Sequence, residues 1–264
     1  MKKRIALFVL FVAIGPAVYS ETMTAREIMD EQADRHGSDS EYSLEKMTLI
    51  DKNGNQEVRA LRRYSKTIND EQSRFLMVFD SPDSIRGTAL LTWTNENAGS
   101  NQWMFLPAQD RLQRIAKGSK KGYFMGTDFT FEDIQPDDAD NFDYEIIEET
   151  TISGLPCWVI DAVPNNEETE RSSGYSKRAM YVLQQYFFTI KIEFFDKRNS
   201  LIKTQQNGLL KLINDQRFRA NKVIMVNHGT GHRTVIQIAD REIDHGLDTD
   251  MFSERYITSG RHLQ

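Results

Sequence analysis

The stretch that decides the fold runs from Leu44 to Tyr64 and reads LEKMTLIDKNGNQEVRALRRY. Apolar and polar residues alternate on both sides of Asn53-Gly54, and this alternation is typical of strands with one buried face. An Asn-Gly pair between two such runs is typical of a tight hairpin turn. The stretch therefore predicts two antiparallel strands joined by a turn at Asn53-Gly54.

The same pattern continues through most of the chain, where turn residues separate short runs of strand-forming residues. The further predicted strands are Gln56–Tyr64, Ser73–Phe79, Thr88–Thr94, Gln102–Leu106, Arg111–Ala116, Phe142–Thr151, Cys157–Val163, Arg178–Gln184, Thr189–Phe195, Leu201–Asn207, Asn221–His228 and Arg233–Arg241. Open sheets of more than about ten strands are uncommon. We therefore expect a mainly β protein whose antiparallel sheet curls, closes or is covered by other elements.

Two short helices are predicted outside these strands. Thr24 followed by Glu27 has the spacing of a capping box, and Gly37 is a suitable residue to end the helix that begins there. The polar segment Asn165–Ser176 is expected to be an exposed insertion, with a helical piece at Glu167–Arg171.

The first residues have the composition of a secretory signal peptide. Lys2, Lys3 and Arg4 precede an apolar run from Ile5 to Ala17, which is too short to span a bilayer as a helix. We expect cleavage after Ser20, which leaves residues 21–264 as a single domain in the periplasm.

Cysteine content and charge narrow the classes of function. The single cysteine, Cys157, lies far from the predicted signal, so we expect neither a lipid attached after cleavage nor an intramolecular disulfide. The chain has a formal charge of −6, and removal of the signal leaves 30 basic and 39 acidic residues, a charge of −9. This acidic balance argues against nucleic-acid binding.

Several motifs resemble those of a known family. They are Phe79-Asp80-Ser81-Pro82, Arg86-Gly87-Thr88-Ala89-Leu90-Leu91, Trp103-Met104-Phe105-Leu106-Pro107-Ala108, Arg114-Ile115, Phe124-Met125-Gly126-Thr127-Asp128-Phe129-Thr130-Phe131-Glu132-Asp133-Ile134 and, near the C-terminus, Phe252-Ser253-Glu254-Arg255-Tyr256. The chain resembles the LolA-like outer membrane lipoprotein-sorting family, within the LolA/LolB-like lipoprotein carrier superfamily. The resemblance covers most of the chain after the predicted signal.

The resemblance implies both a fold and a function. The fold is a strongly curved antiparallel sheet that forms a half-open β-barrel with a helical or loop lid. The function is that of a periplasmic carrier or chaperone, not an enzyme, which binds lipoprotein acyl chains or another envelope lipid. Its implied partners are an inner-membrane RND/MMPL-type exporter and an outer-membrane acceptor, with transient membrane contact. We expect a monomer without cofactor or metal.

Large apolar side chains are concentrated in the predicted middle strands, and they are either ordinary core or the lining of a ligand cavity. The candidate cavity residues are Phe79, Leu91, Trp93, Trp103, Phe105, Phe124, Phe129, Phe131, Trp158 and Phe194. Each buried methylene of an acyl chain is worth roughly 0.8 kcal/mol, so such a cavity could extract a lipid from a membrane without any catalytic residue.

Charged groups in the middle of the chain have two possible interpretations each. Asp128, Glu132 and Asp133 could form an acid/base pair, but we interpret them as structural groups at a turn or at a helix start. A basic loop, Lys117–Gly122 with Arg114 just before it, could meet anionic lipid head groups, or it could simply be solvated. Its candidate docking residues are Arg114, Lys117, Lys120 and Lys121.

Two further clusters are weak metal-site candidates. His228 and His232 flank a predicted hairpin turn, but no nearby acidic or cysteine motif completes a zinc site. The acidic run Asp137–Asp143 lacks the glycine and terminal glutamate of an EF-hand, so we interpret it as a solvated loop.

Two rival functions stay open alongside the carrier. One is an RseB-like sensor that shares the half-barrel fold and signals envelope stress through a protein partner. The other is a lipid-modifying hydrolase, although the sequence has no Gly-x-Ser-x-Gly elbow, His-Glu-x-x-His zinc helix or dinucleotide fingerprint.

Overall fold

The computed structural model describes residues 23–69, 72–95, 99–135, 139–213 and 217–264. The predicted signal peptide and its cleavage site, and Asp137 and Asp138 of the acidic run, lie outside these residues. The described residues form a 13-stranded antiparallel sheet with few helices, which confirms the predicted fold class.

The predicted strands are all present, most with small shifts at their ends. They are β1 (Ser40–Ile50), β2 (Gln56–Asn69), β3 (Gln72–Ser81), β4 (Ala89–Asn95), β5 (Gly99–Leu106), β6 (Arg111–Ile115), β7 (Phe142–Ile152), β8 (Leu155–Pro164), β9 (Lys177–Leu183), β10 (Phe188–Phe195), β11 (Leu201–Ile213), β12 (Arg217–Asn227) and β13 (Arg233–Ile243). The predicted β1–β2 hairpin is confirmed, with Gly54 at a φ of 89° in its turn.

The helices of the described residues are α1 (Ala25–His36), α2 (Glu167–Ser172) and α3 (Glu254–Thr258). The first two match the predicted helices, whereas α3 was not predicted. Thr24 and Glu27 form the predicted capping box at the start of α1, and Gly37 is its C-cap. Within the described part of the chain, no helix is long and apolar enough to cross a membrane.

The order of strands across the sheet is β6-β5-β4-β3-β2-β1-β13-β12-β11-β10-β9-β8-β7. Each half is a meander of sequence-neighbouring strands, and the pairing of β1 with β13 joins the two halves. In the described residues, β6 and β7 lie at opposite ends of this order although they follow each other in sequence. The connection between them, residues 116–141, must therefore cross the sheet, and we call it the crossover segment.

The sheet is strongly curved. Gln102 on β5 donates to the carbonyl of Phe131, and Arg178 on β9 donates to the carboxylate of the next residue, Glu132. Nine strand spacings separate β5 from β9, which would place them about 43 Å apart in a flat sheet. The sheet therefore bends around the crossover segment, and it forms a half-barrel that is not closed between β6 and β7.

The register assigns side chains to the two faces of the sheet. Paired residues of antiparallel strands share a face, and successive residues alternate between faces. Phe79, Leu61 and Phe194 belong to the face covered by the crossover segment, which we call the inner face. Helix α1 covers the same face at its β7–β9 end, where Ile28 and Met29 pack near Ile160.

The outer face of β3–β5 is covered by residues 244–264, which we call the C-terminal segment. Phe252 and Ile257 are buried there in one cluster with Leu91 and Phe105. Residues 244–264 thus act as a second layer on the side of the sheet opposite to the crossover segment.

Candidate functional site

The crossover segment fills the inner face with apolar side chains. Phe124, Phe129 and Ile134 are buried in it, and Met125 and Phe131 pack against the same cluster. The sheet residues of this cluster are Met47, Leu49, Leu61, Met77, Phe79, Leu90, Phe194, Met225 and Ile236. An extended apolar surface of the half-barrel is therefore covered by a connection without regular secondary structure between Lys120 and Gln135.

Polar contacts hold the crossover segment in place. The Arg59 guanidinium donates to the carbonyl of Met125 at 2.8 Å, and the Gln102 amide donates to the carbonyl of Phe131 at 3.1 Å. The crossover segment forms few backbone hydrogen bonds of the strand type. These side chains therefore supply the hydrogen-bond partners that its backbone carbonyls need.

The Glu132 carboxylate lies in a cradle of donors from another part of the chain. Ser173 Oγ donates to Glu132 Oε1 at 2.6 Å, and the backbone N–H of Gly174 donates to Oε2 at 2.9 Å. The Arg178 guanidinium donates to Oε1 at 3.0 Å, and both side chains of this ion pair are 8% exposed. One buried carboxylate is thus satisfied by two neutral donors and one cation.

The neighbouring Asp133 carboxylate has a similar cradle. The Tyr175 hydroxyl donates to Asp133 Oδ1 at 2.8 Å, and Lys203 forms an ion pair with Oδ2. Both side chains of this pair are 1% exposed. The backbone N–H of Thr130 also donates to Oδ2. The two consecutive acidic residues therefore insert two charges among donors of the sheet and of residues 173–175.

The two cations occupy one row across the sheet. Phe194 on β10 pairs with Arg178 on β9 and with Lys203 on β11, so the three side chains lie side by side on the inner face. The Lys203 ammonium lies 4.9 Å from the ring centroids of both Tyr175 and Phe194. Such cation–ring contacts favour a cation that has lost its water.

Burial affects the ionisation of this row. It lowers the pKa of Lys203 below its ordinary value, and the Asp133 carboxylate opposes that effect. Burial also raises the pKa of the Tyr175 phenol. The hydroxyl of Tyr175 therefore stays protonated and can act as a donor at neutral pH.

A third carboxylate, Asp128, contacts the β12–β13 turn. Its Oδ2 accepts from Thr234 Oγ1 at 2.7 Å and lies 2.9 Å from His232 Nδ1. The predicted hairpin at His228–His232 is confirmed, and His228 Nε2 is hydrogen-bonded to Thr204 Oγ1 at 2.8 Å. Among the described residues, no group of three His, Cys, Asp or Glu side chains is placed to hold a metal ion.

The contacts of Asp128, Glu132 and Asp133 fit the structural interpretation. Of its two alternatives, a turn or a helix start, the turn is present, because residues 131–134 form turns and no helix begins there. The three carboxylates bind donors on the sheet and on residues 173–175. A connection without regular secondary structure is held in place by such tertiary contacts.

The ten predicted cavity residues fall into three groups. Phe79, Phe124, Phe129, Phe131 and Phe194 come together in the inner-face cluster. Leu91, Trp93, Trp103 and Phe105 lie on the outer face under the C-terminal segment. Trp158 packs beside the cluster under α1. That any of them contacts a ligand stays a prediction.

The four predicted docking residues differ in their exposure. Lys120 is 8% exposed, and its ammonium donates to the backbone carbonyl of Ser100 at 2.6 Å. Burial lowers its pKa to about 8. Arg114, Lys117 and Lys121 are exposed; Lys117 pairs with Glu168 and Arg114 bonds to Asn101.

Sequence reasoning missed Arg178, Lys203, Ser173 and Tyr175. One signal was available: Tyr175 is the single aromatic residue in the polar stretch Asn165–Ser176, which favours its burial. The expected exposure of that stretch holds for α2 but not for Ser173 and Tyr175, which are buried. The two cations gave no such signal, because their face depends on register.

Comparisons with known proteins agree with this architecture. A family model described as an uncharacterized protein matches residues 71–259, more than half of the chain. A domain from Vibrio parahaemolyticus assigned to outer membrane lipoprotein sorting has 26% identity and a TM-score of 0.84, covering 89% of this chain and 98% of its own. Among curated proteins, no significant match was found.

Two other solved structures share the fold. A DUF1329 family protein from Desulfovibrio piger has 24% identity and a TM-score of 0.83, covering 88% of this chain and 97% of its own. A LolA superfamily protein from Nitrosomonas europaea has 20% identity and a TM-score of 0.69, covering 89% of this chain and 100% of its own. These structures show that the chain shares the fold of outer membrane lipoprotein-sorting and LolA superfamily proteins, and the family model over residues 71–259 shows that it belongs to the family which that model describes as an uncharacterized protein.

Proposed function

We propose that the protein is a periplasmic carrier that binds the acyl chains of a lipoprotein or of another envelope lipid on the inner face. The observation that carries the proposal is the apolar inner face covered by the crossover segment. The similarity to a domain assigned to lipoprotein sorting supports the class of cargo, and the signal-like first residues support the location.

Such a carrier works by exchanging the crossover segment, which covers the inner face, for the acyl chains of its cargo. Acyl chains replace Phe124, Phe129 and Ile134 on the inner face when the crossover segment moves away. Each buried methylene contributes roughly 0.8 kcal/mol, which offsets the loss of the segment's own contacts. Because binding and release follow the relative affinities of donor, carrier and acceptor, the carrier needs no catalytic group. An inner-membrane exporter of RND/MMPL type and an outer-membrane acceptor are the partners that such a route requires.

The test is to purify the protein from its own periplasm without detergent and to identify bound molecules by native mass spectrometry with lipid extraction. We expect a co-purifying lipid or acylated peptide. An empty protein that also fails to bind added amphiphiles would contradict the carrier function.

A matched pair of variants locates the binding surface. Val223 packs on the inner-face cluster, whereas Val58 is 47% exposed on β2. We expect Val223→Gln to weaken binding of a fluorescent fatty acid and Val58→Gln to leave it unchanged, because only the first places an unpaired amide on the acyl surface. Equal effects of the two variants would place the cargo elsewhere.

A further inference from the structure

The donors around Glu132 and Asp133 form an anion-binding site whose present occupants belong to the crossover segment. Arg178, Lys203, Ser173, Tyr175 and the N–H of Gly174 all lie outside that segment, and together they bind both carboxylates. A displacement of the crossover segment would remove the two negative charges and leave the two cations on the inner face.

Stability alone does not account for cations in this position. Burying a charge costs several kcal/mol, and replacing a buried ion pair by apolar residues is often neutral or stabilising. The row Arg178–Phe194–Lys203 could have been completed by apolar side chains such as those of the surrounding cluster. The charges therefore point to a role that apolar residues cannot fill.

We propose that Arg178 and Lys203 bind the phosphate head group of an anionic lipid cargo, and that Glu132 and Asp133 occupy this site only while cargo is absent. The proposal rests on the carrier function and names the class of its cargo. The carboxylates of the crossover segment are then internal competitors of the cargo.

The geometry favours a phosphate over a single carboxylate. The two cradles hold the carboxylates of consecutive residues, and one cation belongs to each cradle. A phosphate presents several anionic oxygens and can accept from both cations, and guanidinium groups bind phosphate in a bidentate way. A fatty-acid carboxylate matches one cradle and does not replace the anion of the other.

The test compares two amphiphiles that differ in one group. Oleoyl lysophosphatidic acid and monooleoylglycerol share the acyl chain and the glycerol, and only the first has a phosphate. Their affinities for the full-length mature protein are measured by calorimetry below the micelle concentration, with inorganic phosphate as a third ligand. We expect the phosphate to strengthen binding about tenfold or more, which is the effect of a charge-assisted hydrogen bond. Inorganic phosphate alone should bind far more weakly, because it cannot displace the apolar cover.

Variants assign the effect to the site. Lys203→Met combined with Asp133→Asn removes both charges of one pair and should reduce the preference for the phosphate. Glu132→Gln weakens the attachment of the crossover segment, so it should strengthen binding of both amphiphiles and leave the preference for the phosphate in place. Lys177→Met is the matched control, since Lys177 precedes Arg178 on β9 and pairs with Asp161. Circular dichroism and thermal melting confirm that each variant is folded.

The outcomes separate this inference from the carrier function. Equal affinity for the two amphiphiles, unchanged in the variants, would overturn the phosphate site and leave the carrier intact. Failure to bind either amphiphile would overturn both. Inorganic phosphate that binds as tightly as lysophosphatidic acid would assign the site to a soluble anion and overturn the lipid head group as its ligand.

Discussion

The indole N–H of Trp93 on β4 donates a hydrogen bond of 2.8 Å to the backbone carbonyl of Phe252 in the C-terminal segment. This bond joins residues that are far apart in sequence and fixes the segment on the outer face. The Phe252 side chain is buried beside the bond, in the cluster with Leu91 and Phe105. Residues 244–264 therefore contribute to the stability of the sheet.

Phe252→Ala should lower the free energy of unfolding by about 3–5 kcal/mol, as expected for removal of a buried aromatic side chain. Chemical denaturation measures this change. Leu209→Ala is the control, because Leu209 is 67% exposed, and its effect should stay within about 0.5 kcal/mol. Similar small effects of both variants would show that the C-terminal segment is only loosely bound to the sheet.

Gly87 should not tolerate a side chain. Its φ is 77°, and a Cβ atom would lie 2.6 Å from Leu263 Cδ2 and 3.3 Å from Pro107 Cγ. We expect Gly87→Ala to cost about 1–3 kcal/mol through backbone strain and displacement of Leu263. Gly118→Ala is the matched control, since a Cβ there meets nothing within 4 Å. Thermal melting of the two variants checks the difference, and equal melting temperatures would disprove it.

The Lys203–Asp133 pair should show strong coupling. Lys203→Met leaves a buried carboxylate without its cation and should cost about 3–5 kcal/mol. Asp133→Asn in the same chain removes that charge while keeping an acceptor for Tyr175, so the double variant should recover part of the loss. A double-mutant cycle by denaturation measures the coupling, which we expect at about 1–3 kcal/mol. Additive losses would mean that the two side chains do not interact in solution.

Lys120 should make stability depend on pH in the alkaline range. Burial lowers its pKa from 10.5 to about 8, so the folded protein binds this proton less tightly than the unfolded chain does. The free energy of unfolding contributed by this group therefore rises with pH between about 8 and 10.5. The difference between wild type and Lys120→Met, followed by denaturation across that range, isolates the effect. A difference that is constant with pH would contradict the burial of the ammonium.

Local patterns were sufficient to predict the strands, the β1–β2 turn and the capping box of α1. These features depend on residues close in sequence, such as Asn53-Gly54 and Thr24 with Glu27, and no distant contact overrides them. The resemblance carried by the family motifs predicted the curvature of the sheet. Alternation alone allowed a large sheet to curl, to close or to be covered by other elements.

The composition of the site depended on two properties that local patterns do not contain. The first is the register: Trp93 and Trp103 are as apolar as Phe79, but they point to the opposite face. The second is the order of strands, which places β6 and β7 at opposite ends and so brings Glu132 and Asp133 to Arg178 and Lys203. Neither property follows from residue type, so the cationic row could not be foreseen.

The strand order also has a consequence for how the chain folds. Almost every strand pairs with its neighbour in sequence, and β1 with β13 is the exception. Loops between sequence neighbours close quickly, whereas pairing across almost the whole chain is slow because its closure entropy has to be met first. We therefore expect β1–β6 and β7–β13 to form early as two separate meanders. The β1–β13 seam would then form late, and the groove that the crossover segment fills would come into existence only at that step.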